Sequence, residues 1–372
     1  MRRHVFYIHG FDPRGPAPYH AICAETAKAR GIEITPRRKA GAGSSQWRLR
    51  APCCEVAYEV LRYDDWVREL WPRWNGARRY GAALRVVFAF ARSGVLTRLA
   101  RWARPGFYAV LAQGFIGVAP YVLALALGAG VYAKASDWLA LPYALALAAV
   151  LAGAAILLGR RLETRLNLAW FTRSLAYLLE SALGEIVERE GRTTLFAARI
   201  LELWRRGEID EIVVVGHSLG AMLAVTTLAK VLEFEPQAAV SGPPIRFLTL
   251  GQSVPIFAQL DASGDFERAA TKVARAFAWL DVTSPHDSAS SGKIAILESA
   301  PDLILSLPTG HIDEKSSGLS RILRPLEFHF RYLRCADPER GFDYLTMLCG
   351  EAPIAPSQTS ARDPSRKALH RV

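Results

Sequence analysis

Ser218 is the residue in this 372-residue chain best placed to do chemistry. It sits in Gly216-His217-Ser218-Leu219-Gly220, directly behind the run Ile212-Val213-Val214-Val215. A serine there can act as a nucleophile in acyl transfer, provided a neighbouring base takes its proton and an acid orients that base. The two glycines permit a turn too tight for side chains. His217, next to the serine, reads as a supporting side chain packed under the turn rather than as the base.

The elements that must position this serine can be read around it. Four β-branched residues at 212–215 predict a short buried parallel strand. Ala221–Leu232 predicts a helix with Met222, Leu223, Val225, Leu228, Val231 and Leu232 on or near one face. The N-terminus of such a helix favours developing negative charge. A further helix at Thr194–Arg206 leads into the strand. Val5-Phe6-Tyr7-Ile8 predicts an early strand, followed by His9-Gly10-Phe11-Asp12-Pro13. A helix at Tyr19–Arg30 and strand-like runs at Gln46–Leu49 and Ala57–Tyr63 come next. Beyond the serine, Phe247–Leu250 and Phe277–Val282 read as strands, and Leu303–Leu307 is a further apolar run. This alternation predicts an α/β fold with a mostly parallel sheet flanked by helices.

The Gly-His-Ser-Leu-Gly turn between a strand and a helix, together with His9-Gly10 after an early strand, resembles the α/β-hydrolase superfamily, in particular its lipase and esterase-like members. The resemblance implies that Ser218 is the nucleophile and that the N–H groups of Phe11 and Leu219 form the oxyanion hole. Donors fixed there need no reorganisation when the oxyanion develops. The family's chain order places the acid and then the histidine after the nucleophile. The resemblance thus implies Asp287, which follows a turn containing Pro285, as the acid. Asp281, inside the strand-like run, is the alternative, and Asp302 a third. His329 is the implied base, because its spacing to Tyr332 is similar to that in several lipase-like relatives, and His311 is the alternative base. His370 lies in a polar tail, and His286 is assigned no role. The chain departs from the family pattern in beginning at the strand before the oxyanion loop and in carrying a large insertion before the nucleophile.

That insertion holds the second large feature. Residues 105–133 and 138–159 carry no charge, and only Lys134-Ala135-Ser136-Asp137 separates them. A bilayer crossing takes about 20 apolar residues, so the sequence predicts a transmembrane hairpin with helices at about 107–133 and 138–159. Tyr108, Tyr132 and Trp138 stand near the ends as interfacial aromatics. Small residues (Gly114, Gly117, Gly128, Gly130, Ala148, Ala152 and Gly153) would allow close helix packing. Arg92, Arg98, Arg101 and Arg104 precede the pair, and Arg160, Arg161, Arg165 and Arg173 follow it. By the positive-inside rule, both flanks and the catalytic parts face the cytoplasm. The expected location is the inner (plasma) membrane, as a multi-pass protein. No signal peptide is expected ahead of the first strand.

With 46 basic and 35 acidic residues the net charge is +11. Much of the excess lies between Arg73 and Arg104, beside the apolar segments, where it would attract anionic lipid headgroups. No nucleic-acid motif accompanies it, so nucleic acid is not an expected partner. The five cysteines are scattered without metal-ligand spacing, and no glycine-rich phosphate loop occurs; neither metal nor cofactor is expected. The expected organisation is a hydrolase core in two parts (1–80 and 173–350), the insertion (81–172) and a disordered tail (351–372) rich in Pro, Ser and Arg. The expected function is a membrane-anchored serine hydrolase acting on a lipid or acyl ester. The alternative is a membrane scaffold or binding protein that keeps the fold without catalysis.

Overall fold

Apolar strands buried on both faces need a helical layer on each side, and the central strands here are buried along almost their whole length. The computed structural model describes residues 1–41, 43–71, 76–135, 137–186, 189–297, 304–308, 325–334 and 342–354. In chain order, β1 (Arg2–Ile8) is followed by α1 (Ala17–Arg30), β2 (Glu33–Ile34), β3 (Arg38–Ala40), β4 (Ser44–Ala51) and β5 (Cys54–Leu61). A helical stretch comes next: α2 (Asp64–Leu70), α3 (Gly76–Arg92), α4 (Val95–Trp102), α5 (Arg104–Ala135), α6 (Leu141–Arg165), α7 (Leu168–Ala182) and α8 (Arg189–Arg206). The chain then returns to the sheet through β6 (Glu211–His217), α9 (Gly220–Phe234), β7 (Ile245–Leu250), α10 (Val254–Leu260), α11 (Asp265–Ala276), β8 (Ala278–Thr283) and β9 (Ile304–Pro308). Short helices at Pro325–His329 and Tyr344–Leu348 follow.

The sheet order is β2-β4-β5-β1-β6-β7-β8-β9, with β3 also paired to β4. From β5 to β9 every pairing is parallel, whereas β4 runs antiparallel to β5. Strands β2, β3 and β4, which follow β1 in the chain, form the edge beyond β5. Alternate residues of each strand point to opposite faces. Phe6, Ile8, Val214, Phe247 and Trp279 join the core under α7, α8 and α9. Val5, Tyr7, Val215, Leu248 and Leu280 join a second core with α1 and residues 328–333 and 342–354.

Two helices, over Val118–Ala135 and Leu141–Arg165, are long and apolar enough to cross a membrane. Their large side chains are bare (Leu125 76% exposed, Val150 66%, Leu158 70%), which a buried core hairpin would not permit. The earlier part of α5 packs on the α/β body, where Val110 and Gln113 are buried and Gly106 lies against Leu99. The insertion boundary expected at 172 falls inside α7, which belongs to the core.

The α5–α6 seam is built of small residues. Ala124, Ala144 and Ala148 are buried, and Gly128 faces Ala152. Gly159 packs so closely on Pro120 that any Cβ would overlap the proline ring. Gly130 and Gly153 face open space, and Gly114 lies against Val87 of α3. Gly159→Leu is predicted to destabilise the protein by about 1–3 kcal/mol through overpacking, lowering the thermal unfolding midpoint in detergent. Gly153→Leu in the same melt should leave the midpoint unchanged.

Candidate active site

The turn between β6 and α9 places Ser218 at the carboxyl end of a central strand. Its φ is 56°, a left-handed conformation that costs an L-residue roughly 1–2 kcal/mol. The Ser218 N–H donates to the Leu250 carbonyl at 2.9 Å, which ties the turn to β7. A Cβ at Gly216 would sit 2.5 Å from the Ala221 Cα, and one at Gly220 would overlap the carbonyl oxygens of Ile8 and His9. The two glycines therefore let α9 start against β6 and let the loop after β1 lie directly over the serine. A Cβ built on Gly10 of that loop would lie 3.3 Å from Ser218 Oγ.

The loop after β8 and the helix Pro325–His329 supply an acid and a base. His329 Nδ1 lies 2.7 Å from Asp287 Oδ2. A carboxylate only accepts, so Nδ1 carries the proton and Nε2 is left free to act as a base. Nε2 is buried without a hydrogen-bond partner among the described residues. Asp287 is buried and held from three sides. Besides His329, Tyr332 donates its hydroxyl proton to Oδ2 at 3.0 Å, and the Ala289 N–H donates to Oδ1 at 2.9 Å. Tyr332 in turn accepts the Ser284 N–H at 2.9 Å. Gly251, at φ 51°, makes room for this group, because a Cβ there would come within 2.5 Å of the Tyr332 ring and 3.1 Å of both Asp287 and His329.

His217 supports the base from beneath, its ring stacked on His329 with centroids 4.9 Å apart. Its Nε2 points at the His329 carbonyl at 3.4 Å and its Nδ1 at the Tyr7 hydroxyl at 2.9 Å. Because the carbonyl only accepts, Nε2 carries the proton and Nδ1 accepts from Tyr7. Burial, followed by the neighbouring His329, holds the His217 imidazole well below the usual histidine range, so it stays neutral.

Ser218, His329, His217, Phe11 and Leu219 line one cavity of about 50 Å³, walled by Trp170, Phe171, Leu175, Leu326 and Phe330. Neither the Phe11 N–H nor the Leu219 N–H donates to another described residue. The structure thus brings together Ser218, Asp287, His329, Phe11 and Leu219, although no Ser218–His329 hydrogen bond is formed. A larger depression of about 620 Å³ on α11, lined by Glu267, Arg268, Lys272 and Arg275, holds no candidate residue. His311 and Asp302 lie outside the described residues, as does His370. Among the described residues no cluster of three or more His, Cys, Asp or Glu could hold a metal ion. The stacking of His217 on His329 and the Tyr332–Asp287 bond were missed as contacts, although the His329–Tyr332 spacing marked the second pair.

Asp281 is buried elsewhere, in β8. It accepts the Thr249 hydroxyl at 2.6 Å and the Gln252 side-chain amide at 3.4 Å. Burial pushes its carboxyl up to about 6, against those two hydrogen bonds. A folded-state value above the unfolded 3.8 means that the stability present at lower pH is lost as the pH rises through about 6. Asp281→Asn is therefore predicted to gain on wild type as the pH is raised from 4 to 7, by on the order of 1–3 kcal/mol, in paired thermal melts. A search of protein families, characterised proteins and solved structures finds no match to this chain.

Proposed function

We propose that this chain is a membrane-anchored serine hydrolase of the α/β-hydrolase type, cleaving a lipid or acyl ester through an acyl-enzyme. The observation that carries the reading is Ser218 held in a left-handed turn over one small cavity, across which an Asp287-oriented His329 presents an unpartnered Nε2. Strand, elbow, helix, and the order Ser218, Asp287, His329 all agree with that family's pattern.

In this reading Ser218 Oγ attacks the ester carbonyl while His329 Nε2 takes the hydroxyl proton. Asp287 holds the imidazole by Nδ1 and stabilises the imidazolium that forms. The N–H groups of Phe11 and Leu219 donate to the oxyanion. Collapse expels the alcohol, protonated by His329, and leaves an acyl ester on Ser218. Water, deprotonated by the same nitrogen, then attacks that ester, releases the acid and restores Ser218. Neutral His217 beneath the base adds no charge to oppose the imidazolium.

The substrate class follows from connectivity. Trp170, Phe171, Ser174 and Leu175 of α7 wall the cavity, and α7 begins within a few residues of the end of α6. A cavity wall that runs on from a membrane span favours a substrate drawn from the bilayer. The arginines on both flanks of the hairpin favour a site on the cytoplasmic face of the inner membrane. The cavity of about 50 Å³ holds only the part of such a substrate next to Ser218.

With a fluorophosphonate probe on membranes holding the full-length protein, Ser218→Ala is predicted to abolish labelling. His329→Ala and Asp287→Asn should each slow labelling by roughly 10³-fold or more. His311→Ala and Asp281→Asn should label like wild type. A folded wild type that never labels would favour the non-catalytic scaffold.

A further inference from the structure

The oxyanion donor proposed on Phe11 belongs to the Gly10–Phe11 peptide, and a peptide unit is planar. Whatever holds the Gly10 carbonyl therefore also aims the Phe11 N–H, which points the opposite way. The Gly10 carbonyl is held firmly: the Tyr63 hydroxyl lies 2.7 Å from it, and His9 Nδ1 is also 2.7 Å away. The Tyr63 hydroxyl is equally close to the His9 carbonyl. Its ring stacks on His9, with centroids 4.4 Å apart at 12°. Tyr63 is fully buried, and burial pushes its phenol well above the usual tyrosine range, so it remains a donor.

The next peptide is held from a different direction. The Trp170 indole N–H donates to the Phe11 carbonyl at 3.1 Å. The Phe11 ring lies stacked between Tyr177, 4.5 Å away, and Trp71, 5.6 Å away. Trp170 and Tyr177 are one face of α7. The turn from α6 into α7 passes through Asn167, itself left-handed at φ 53°. Both carbonyls flanking the donor are thus fixed by side chains that touch no reacting atom. Donation into the Gly10 carbonyl also polarises its amide, strengthening the N–H on the far side.

We propose that Tyr63 and Trp170 are positioning residues that fix the Gly10–Phe11–Asp12 backbone so that the Phe11 N–H meets the oxyanion; this rests on the serine-hydrolase reading above. The Tyr63 clamp reaches the donor from the end of β5, and the Trp170 clamp reaches it from the helix joined to the second candidate span.

The test uses the full-length protein in lipid nanodiscs with a fluorophosphonate probe and a short soluble p-nitrophenyl ester. Tyr63→Phe and Trp170→Phe each keep an aromatic ring and remove one donor. Each is expected to lower kcat and the labelling rate roughly 10- to 100-fold with Tm close to wild type, and Tyr63→Phe, outside the cavity wall, to keep KM close to wild type as well. The double variant should fall further. Variants that match wild type, or that lose activity only in step with a fall in Tm, would overturn the inference while a labelled wild type kept the hydrolase reading. A folded wild type that neither labels nor turns over would overturn both.

Discussion

The left-handed backbone at Ser218 is the constraint on which the rest of the site depends. A strand that ran straight into its helix would point the serine side chain into the sheet or along its surface. The φ of 56° instead lifts it above the carboxyl end of β6. The strain is sustained because α9 is buried along almost its whole length and β6 is paired on both sides. Packing on that scale outweighs a cost of roughly 1–2 kcal/mol. The same turn explains why Gly216 and Gly220 have no side chains: one faces the start of α9 and the other faces the backbone of the oxyanion loop. Ser218, the helix N-terminus and the loop carrying Phe11 are therefore positioned by a single feature.

The acid and base solve a different problem, that of keeping a carboxylate and an imidazole oriented in a dry interior. Asp287 is buried, yet its two oxygens receive three donors, from His329, Tyr332 and Ala289. A buried polar group satisfied in this way is stabilised rather than penalised. Asp281 accepts instead from the Thr249 hydroxyl and the Gln252 side-chain amide, and burial raises its carboxyl. The two carboxyls lie on the same strand–loop segment, but it is Asp287 that is bonded to the histidine lining the cavity with Ser218.

Much of this was legible in the sequence because the signals are local. The strand–turn–helix around Ser218, the early strand before His9-Gly10 and the helices of the hairpin all follow from runs of neighbouring residues, and each has its counterpart in β6–α9, β1 and α5–α6. Contacts between distant segments were not legible. Tyr63 and Trp170 lie 53 and 159 residues from the backbone oxygens they hold, and no pattern in either segment announces the partner. The pairing of Gly159 with Pro120 depends on how two helices cross. The antiparallel edge formed by β2, β3 and β4 was hidden because β2 and β3 are only two and three residues long, too short for any period.

The α5–α6 hairpin runs directly into α7, whose side chains also line the cavity at Ser218. In the proposed reading that helix joins the membrane anchor to the chemistry. The most direct test is the structure of the fluorophosphonate-treated, full-length protein in a lipid nanodisc. The account predicts phosphorus bonded to Ser218 Oγ, with its oxygen about 3 Å from the N–H groups of both Phe11 and Leu219. Phosphorus on another residue, or a phosphonyl oxygen turned away from both donors, would contradict it.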